Sequence, residues 1–387
     1  MMQLLKRNVV FSFAVFLTIV SVGCAVFGYY GGGILQKNNT AIGDLNWAMK
    51  PTADYEHLET TDQPNVFVAN CTGKHEKHLI DATGKVLEKW PGENLGHGYF
   101  EHFDGEKAGV ADKDGNFLIQ PDYAYIQADG DYFVAHQDNQ RISFWNLEGK
   151  CIHEEPQAAN AYYLGKNTFL VDQEGIAKSY LFDADSRKTK SLKKHVTFVF
   201  DDGKGGLVGD IDGLYYHLDK NFDVAEGTQV YEQYGELSEG LRYVTLYNEK
   251  TGNVSPCYIN TDEEVVITLD ETPDNASAFS EGKAFVQTGN KLVCINTNGR
   301  ELFTLKIKQQ YSSFRFYDDF CYSEGLAAVS LDNDKYGYID ETGEFVIPPV
   351  LDVAWEFENG YAIAAIEGEE YQFGILKMNE GGRDDVK

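Results

Sequence analysis

Along most of the chain, short apolar runs alternate with polar residues and break at clusters of Asp, Asn, Ser and Gly. Around residue 338 the alternation has a period of two: Tyr336, Tyr338 and Asp340 fall on one side, Gly337 and Ile339 on the other. A period of two is that of a half-buried strand. One cycle of four strands is predicted at Tyr123–Gln127, Tyr132–His136, Ile142–Asn146 and Lys150–His153. A second is predicted at Tyr336–Asp340, Glu344–Ile347, Val353–Phe357 and Tyr361–Ile366, taken as one unit. The intervening loops leave no room for helices of ordinary length, so the pattern predicts an all-β fold.

The pattern repeats. Leu237-Ser238-Glu239-Gly240-Leu241, Phe279-Ser280-Glu281-Gly282, Tyr322-Ser323-Glu324-Gly325 and Phe357-Glu358-Asn359-Gly360 are acidic turns ending in glycine before an apolar strand. A second block closes an apolar strand on Asp or Asn and turns on glycine. It occurs at Asp81 to Gly84, Asp112 to Gly115, Asn146 to Gly149, Asn296 to Gly299 and Asp340 to Gly343. With Asp183, Asp219 and Asn260 as weaker markers, the step from Asp81 to Asp340 averages about 37 residues. Asp or Asn at the first turn position bonds the backbone ahead, and glycine takes the positive φ that closes a hairpin. Gly84, Gly115, Gly149, Gly240, Gly282, Gly299, Gly325, Gly343 and Gly360 are therefore assigned as structural turn residues. About eight four-stranded units of this length fit a β-propeller, with an open β-solenoid as the alternative. The array starts and stops in mid-unit, so the two ends of the chain are expected to complete one shared blade.

These units resemble the bacterial WG-repeat family. Tyr336-Gly337-Tyr338-Ile339-Asp340 followed by Ile347-Pro348-Pro349 is similar to its central motif, with Tyr in place of the usual Trp. Ile119-Gln120-Pro121-Asp122-Tyr123 is similar to its proline element, and Gly325-Leu326-Ala327-Ala328-Val329 to its closing strand. The likeness runs from Val66 to Lys377 and is eroded between Ala158 and Glu232. It implies a β-repeat array of envelope or secreted bacterial proteins and supplies no catalytic residue.

Before the repeats, Lys6 and Arg7 precede an uncharged stretch whose apolar heart, Val9 to Phe27, is 19 residues long. That length suits a membrane span, and the charge order places the bulk of the chain outside the cytoplasm. Cleavage as a signal peptide and lipidation at Cys24, within Val20-Ser21-Val22-Gly23-Cys24, are the alternatives. The organisation is therefore read as a membrane or signal segment over 1–36, a polar linker over 37–64, the repeat domain over 65–378 and a disordered tail over 379–387. The expected location is the cell membrane, single-pass, with the repeats extracytoplasmic; a lipoprotein or a secreted protein is the alternative.

Composition narrows the chemistry. Asp and Glu number 61 against 33 Lys and Arg, a formal charge of -28, which repels phosphate backbones and makes nucleic acid a poor partner. The six cysteines form no Cys-x-x-Cys pair, and the nine histidines form no His-Glu-x-x-His, so no metal site is indicated. Asp112-Lys113-Asp114-Gly115 and Asp332-Asn333-Asp334 lack the spacing of a calcium loop, since Phe117 stands at the sixth place after Asp112 where glycine is needed. The Gly-rich run Asp201 to Gly206 lacks the phosphate-loop spacing, and no Gly-x-Ser-x-Gly occurs. No catalytic residue and no cofactor is assigned. The expected function is a non-catalytic binding or scaffold module of the cell envelope, with a protein or cell-wall glycan as partner and the membrane held through the N-terminal segment. The alternative is an envelope enzyme acting on glycans through channel carboxylates, with Trp90, Trp145 or Trp355 stacking on sugars.

Overall fold

The computed structural model describes residues 45–378 apart from 74–75, 91, 105, 158, 308–320, 332–334 and 369. Cys24, the apolar stretch Val9–Phe27, the tail 379–387 and Asp332-Asn333-Asp334 lie outside the described residues. Among the described residues no helix is long and apolar enough to cross a membrane. Among the described residues, 35 strands form eight antiparallel sheets.

In chain order, sheet 1 holds Tyr55–Thr60, Val66–Cys71, Lys77–Asp81 and Val86–Lys89. Sheet 2 holds Glu93–Gly96, Tyr99–Asp104, Lys107–Asp112 and Phe117–Tyr123. Sheet 3 holds Tyr125–Asp129, Tyr132–His136, Ile142–Asn146 and Cys151–Glu155, close to the cycle predicted there. Sheet 4 holds Asn160–Tyr163, Thr168–Gln173, Lys178–Asp183 and Lys188–Ser191. Sheet 5 has seven strands: Phe198–Asp201, Leu207–Ile211 and Leu214–Leu218, then Val230–Ser238, Leu241–Asn248, Asn253–Asn260 and Val265–Thr268. It reads as two units fused where Val230 and Tyr231 pair with Tyr216 and Tyr215. Sheet 6 holds Asn275–Ala276, Lys283–Thr288, Lys291–Asn296 and Glu301–Lys306, and sheet 7 holds Tyr322–Ser323, Leu326–Ser330, Tyr336–Ile339 and Phe345–Leu351. Sheet 8 takes Val353–Ala354, Tyr361–Glu367 and Tyr371–Lys377 from the C-terminal end, and Trp47–Thr52 from the N-terminal end as its fourth strand.

Sheet 8 settles the choice between propeller and solenoid. Trp47, Met49 and Thr52 pair with Leu376, Ile375 and Phe373, so the two ends of the repeat array share one sheet. That sheet packs on sheet 7 through Tyr338, Leu351, Phe357, Ala362, Ala364 and Leu376. It packs on sheet 1 through Met49, Leu58, Phe67, Ile80, Ile363 and Phe373. Further apolar clusters join sheets 2 and 3, 3 and 4, 4 and 5, 5 and 6, and 6 and 7, and another joins the two halves of sheet 5. The array is thus a closed ring, a β-propeller rather than an open solenoid. Sheets 1 and 2 are neighbours in sequence, but among the described residues no cluster of this kind joins them.

Each sheet is built alike. The second strand is the most buried, as in Ala362, Ala364 and Ala365 of sheet 8, and the fourth is the most exposed, as in Val86–Lys89 and Lys188–Ser191. The fourth strand is therefore the outer edge of its blade. The predicted unit over Tyr336 to Ile366 is divided by the structure: its first two strands close sheet 7 and its last two open sheet 8. The sequence repeat is offset by half a blade, so each repeat joins two neighbouring sheets. Two strands, Trp47–Thr52 and Tyr55–Thr60, fall in the stretch 37–64 read as a linker, and the repeat array begins at Trp47. Their apolar residues are sparse because one strand completes an outer edge and the other begins an inner one, so each buries few side chains.

Candidate functional site

The strand directions put the turns and the free strand ends at opposite ends of the ring. At one end lie the hairpins between first and second strands and between third and fourth. All nine assigned glycines sit in these hairpins with φ between 74° and 85°. In the third-to-fourth turns one Asp or Asn oxygen accepts two backbone N–H groups: Asp112 Oδ1 from Asp114 and Asn116, both at 2.9 Å, and Asp340 Oδ1 from Thr342 and Glu344 at 2.8 and 3.1 Å. Such a turn consumes the carboxylate locally, as expected for Asp112 in place of a calcium ligand. The side-chain amide of Asn116, which donates to Asp112 Oδ2 at 2.9 Å, contributes most to holding the Asp112 carboxyl below the usual carboxylate range, and the backbone N–H groups add to it.

The Ser-Glu-Gly turns at the same end form a relay around the ring. Glu239 accepts the N–H of Gly282 at 2.9 Å, Glu281 that of Gly325 at 2.9 Å, and Glu324 that of Gly360 at 2.7 Å. The serines run in parallel: Ser280 donates to the carbonyl of Tyr322 at 2.5 Å and Ser323 to that of Phe357 at 2.6 Å. The turns at Ser280-Glu281 and Ser323-Glu324 therefore recognise the equivalent turn of the next blade through both of their polar side chains, and the turn at Glu239 does so through its carboxylate. This is the physical reason for Ser and Glu before the glycine; the hairpin alone requires neither.

The opposite end carries polar residues where the rest of the second strand is apolar. Five sheets place a polar cross-strand pair where the first strand enters and the second leaves: His57 with Asn70, Tyr125 with His136, Asn160 with Asp172, Gln233 with Thr245, and Asn275 with Gln287. Ser330 occupies the same place in sheet 7. His136, Asp172, Thr245, Gln287 and Ser330 are all at most 5% exposed. His136 Nε2, Gln287 Nε2, Ser330 Oγ and Asn70 Oδ1 have no protein hydrogen-bond partner. Buried polar atoms are ordinarily paired, so this collar carries polarity that the hairpins themselves do not use. It was not singled out from the sequence, although the recurring pair of a small apolar residue and a polar one, as in Val286-Gln287 and Val329-Ser330, is its signal.

Titratable groups gather at this collar between sheets 2 and 5. Glu101 of sheet 2 is buried, accepts the N–H of Ile126 in sheet 3 at 2.7 Å, and has its carboxyl pushed up by burial to about 7. The Tyr125 ring stacks on His136 at 4.1 Å; burial raises the phenol to about 12 and holds the imidazole neutral, lowered to about 3. Glu155 accepts from Gln173 at 2.8 Å and from Tyr180 at 3.0 Å, bridging sheets 3 and 4. Asp172 Oδ1 lies 2.6 Å from His195 Nε2. Glu101 and Glu155 are thus spent on joining blades, and Asp172 on holding the segment between sheets 4 and 5. Among the described residues no group of three or more His, Cys, Asp or Glu side chains is placed to hold a metal ion. Cys257 and Cys294 are buried, and the five described cysteines are free thiols. Trp355 lies edge-on to His57 at 5.9 Å and beside Phe373 at 6.1 Å, a packing role.

Comparison with known proteins adds a likeness over two stretches of the array. The model of the WG containing repeat matches residues 258–291 and 336–369. Both matches run from the third strand of one sheet into the second strand of the next, the half-blade offset described above. No curated protein matches the sequence. BamB from Moraxella catarrhalis is 9% identical over 85% of this chain and 98% of its own, with a TM-score of 0.41. Hsv2 of Kluyveromyces lactis is 12% identical over 65% of this chain and 95% of its own, with a TM-score of 0.36. The Pan2 WD40 domain of Neurospora crassa is 10% identical over 84% and 90%, with a TM-score of 0.32. The three-residue approach that gives the motif its glycine is found in three sheets. A Cβ on Gly109 would lie 2.9 Å from Pro121 N, one on Gly337 2.8 Å from Pro349 N, and one on Gly374 2.9 Å from Pro51 N. In each case the fourth strand bulges inward at its proline, and only a glycine opposite admits it. Two stretches of the chain, 258–291 and 336–369, are therefore similar to the WG containing repeat, and they lie within an array closed into a β-propeller ring.

Proposed function

We propose that this chain is a non-catalytic binding or scaffold module of a bacterial envelope, held to the membrane by its first 36 residues and presenting the ring outside it. The observation that carries the reading is how the polar side chains are used. The strongly buried carboxylates Glu101 and Glu155 are engaged in blade-to-blade contacts, Asp172 with His195 of the segment between sheets 4 and 5, Asp129 with Gln127 of its own strand, and Asp112 and Asp340 in their own turns. A glycosidase needs two carboxyl groups facing a substrate across a few ångströms. Glu101, the carboxyl with the most acid-like character, is 4% exposed and occupied by a backbone N–H. What a closed ring of packed sheets offers is a rigid surface for a partner. The placement outside the membrane is supported by Lys6 and Arg7 ahead of the apolar stretch Val9–Phe27.

The test has two arms. Full-length protein is used to capture partners from envelope extract, and selective retention of one protein or glycan is the expected result. Failure to retain anything above a charge-matched control sinks the binding reading. Protease added to intact cells should digest the ring; a ring protected until the cells are broken sinks the external placement.

A further inference from the structure

An outer strand presents unpaired N–H and C=O groups, and proteins protect such edges with lysine, proline or a covering element. This ring does so blade by blade. The outer strand Trp47–Thr52 contains Lys50 and Pro51, Phe117–Tyr123 contains Pro121, and Phe345–Leu351 contains Pro348 and Pro349. Val86–Lys89, Lys188–Ser191 and Glu301–Lys306 carry Lys89, Lys188 with Lys190, and Lys306. Cys151–Glu155 is bracketed by Lys150 and Pro156. Val265–Thr268, the end strand of sheet 5, has neither residue within it or beside it.

That strand is also apolar and open. Val265 is 49% exposed and Val266 45%, while Ile267 turns inward and packs against the turn at Gly299. Its flanks carry no basic residue in sequence: Asp262, Glu263 and Glu264 precede it, and Asp270 and Glu271 follow, all exposed. Asp262 pairs with Lys204 at 2.8 Å and Glu263 lies 2.6 Å from His217, so the carboxylates offered to a partner are Glu264 at one end and Asp270 and Glu271 at the other. On a chain of net charge -28, a second copy offers the same carboxylates and is repelled along the whole edge. A segment with basic flanks meets opposite charge at both ends.

We propose that Val265–Thr268 is a strand-addition site, which accepts an extended apolar segment flanked by lysine or arginine from a partner protein. The backbone edge would supply the main-chain hydrogen bonds and the valines the apolar contact, while the two acidic clusters set the choice of partner. This rests on the binding-module reading and gives that module a place and a chemistry.

The experiment uses the full-length chain and a fluorescent octapeptide of alternating valine and threonine with two lysines at each end. A peptide with glutamate at those four positions is the control. Binding of the lysine peptide that weakens with salt is expected, with new exchange protection of the amides over 265–268. The double variant Glu264→Lys/Asp270→Lys, confined to exposed side chains, should weaken it at least tenfold and admit the glutamate peptide. Equal binding of both peptides by the wild type, no binding of the lysine peptide, or binding untouched by the double variant overturns the proposal. Self-association of the wild-type chain that the double variant abolishes also overturns it, in favour of a second copy as the occupant. If envelope extract yields a partner that the double variant captures equally well, the module reading stands and this edge is excluded.

Discussion

The carboxylate of Glu281 accepts the backbone N–H of Gly325, 44 residues further along the chain and one blade around the ring. The same bond links Glu239 to Gly282 and Glu324 to Gly360. A hydrogen bond to a charged acceptor contributes roughly 1.5–3 kcal/mol where shielded, and less at a wet surface. Glu281→Ala should therefore lower the stability of the ring by about 1 kcal/mol, and Glu281→Gln by less, since the amide oxygen still accepts. Urea unfolding of the three proteins checks the order; equal losses for Ala and Gln would assign the effect to charge alone.

Gly337 and Gly360 separate two reasons for glycine. Gly360 has φ 82° and nothing within 4 Å of a Cβ, so Gly360→Ala should cost about 1–2 kcal/mol for the left-handed backbone. Gly337 has an ordinary φ, but its Cβ would strike the carbonyl oxygen of Ile347 and lie 2.8 Å from Pro349 N. Backbone cannot yield as a flexible side chain does, so Gly337→Ala should cost about 3 kcal/mol or more. Thermal melts of both variants should show the larger drop at Gly337.

Glu101 gives the ring a pH dependence with a definite sign. Its carboxyl is raised from 4.5 to about 7 in the folded protein, mainly by burial. The folded state therefore favours the protonated form, and this contribution is present below about pH 4.5 and is lost as pH rises through about 7. Glu101→Gln removes the charge while keeping an acceptor for Ile126. The variant should melt higher than wild type at pH 8 and close to it at pH 4.5. His136 works the other way: its imidazole, lowered from 6.5 to about 3 by burial, supports folding above pH 6.5 and loses that support on acidification. A melting temperature of the His136→Gln variant that is flat from pH 4.5 to 8 would refute the role given to Glu101.

Removing residues 45–53 takes away the outer strand of sheet 8 and with it Met49, which packs on both sheet 8 and sheet 1. The shortened protein should lose cooperative unfolding and gain radius in small-angle scattering, whereas removal of 379–387 should leave both unchanged. Retention of a compact, cooperative ring without Trp47–Thr52 would show that packing between sheets 8 and 1 suffices.

Much of this fold is legible in the sequence because its turns are local. Asp112, Asn146 and Asp340 each bond backbone two and four residues ahead, so the residue types needed lie side by side in the chain. The first-to-second turns are legible for the same reason. The half-blade offset is not, because a hairpin pattern says nothing about which sheet its strands enter: Ile347 and Val353 are close in sequence but belong to different sheets. Sheet 8 has no third-to-fourth turn, since its third and fourth strands, Tyr371–Lys377 and Trp47–Thr52, come from opposite ends of the repeat array, and a census of such turns therefore passes over one blade. Met49-Lys50-Pro51 is the proline element that identifies it, and it was hidden in a polar stretch. The collar escaped notice for a different reason. His136, Gln287 and Ser330 are ordinary polar residues until the ring brings them to one end and buries them.

The sharing of sheet 8 also fixes an order of events during synthesis. Trp47–Thr52 leaves the ribosome among the first parts of the ring, while its partner Tyr371–Lys377 emerges last, and Asn46 waits for the carbonyl of Lys377 across 331 residues. Joining ends so far apart costs roughly 5 kcal/mol of loop entropy by the logarithmic rule, a sum collected only when the intervening blades have already drawn them together. Until then the first strand is an unpaired edge, and a nascent chain that stalls anywhere before Tyr371 cannot shut the ring.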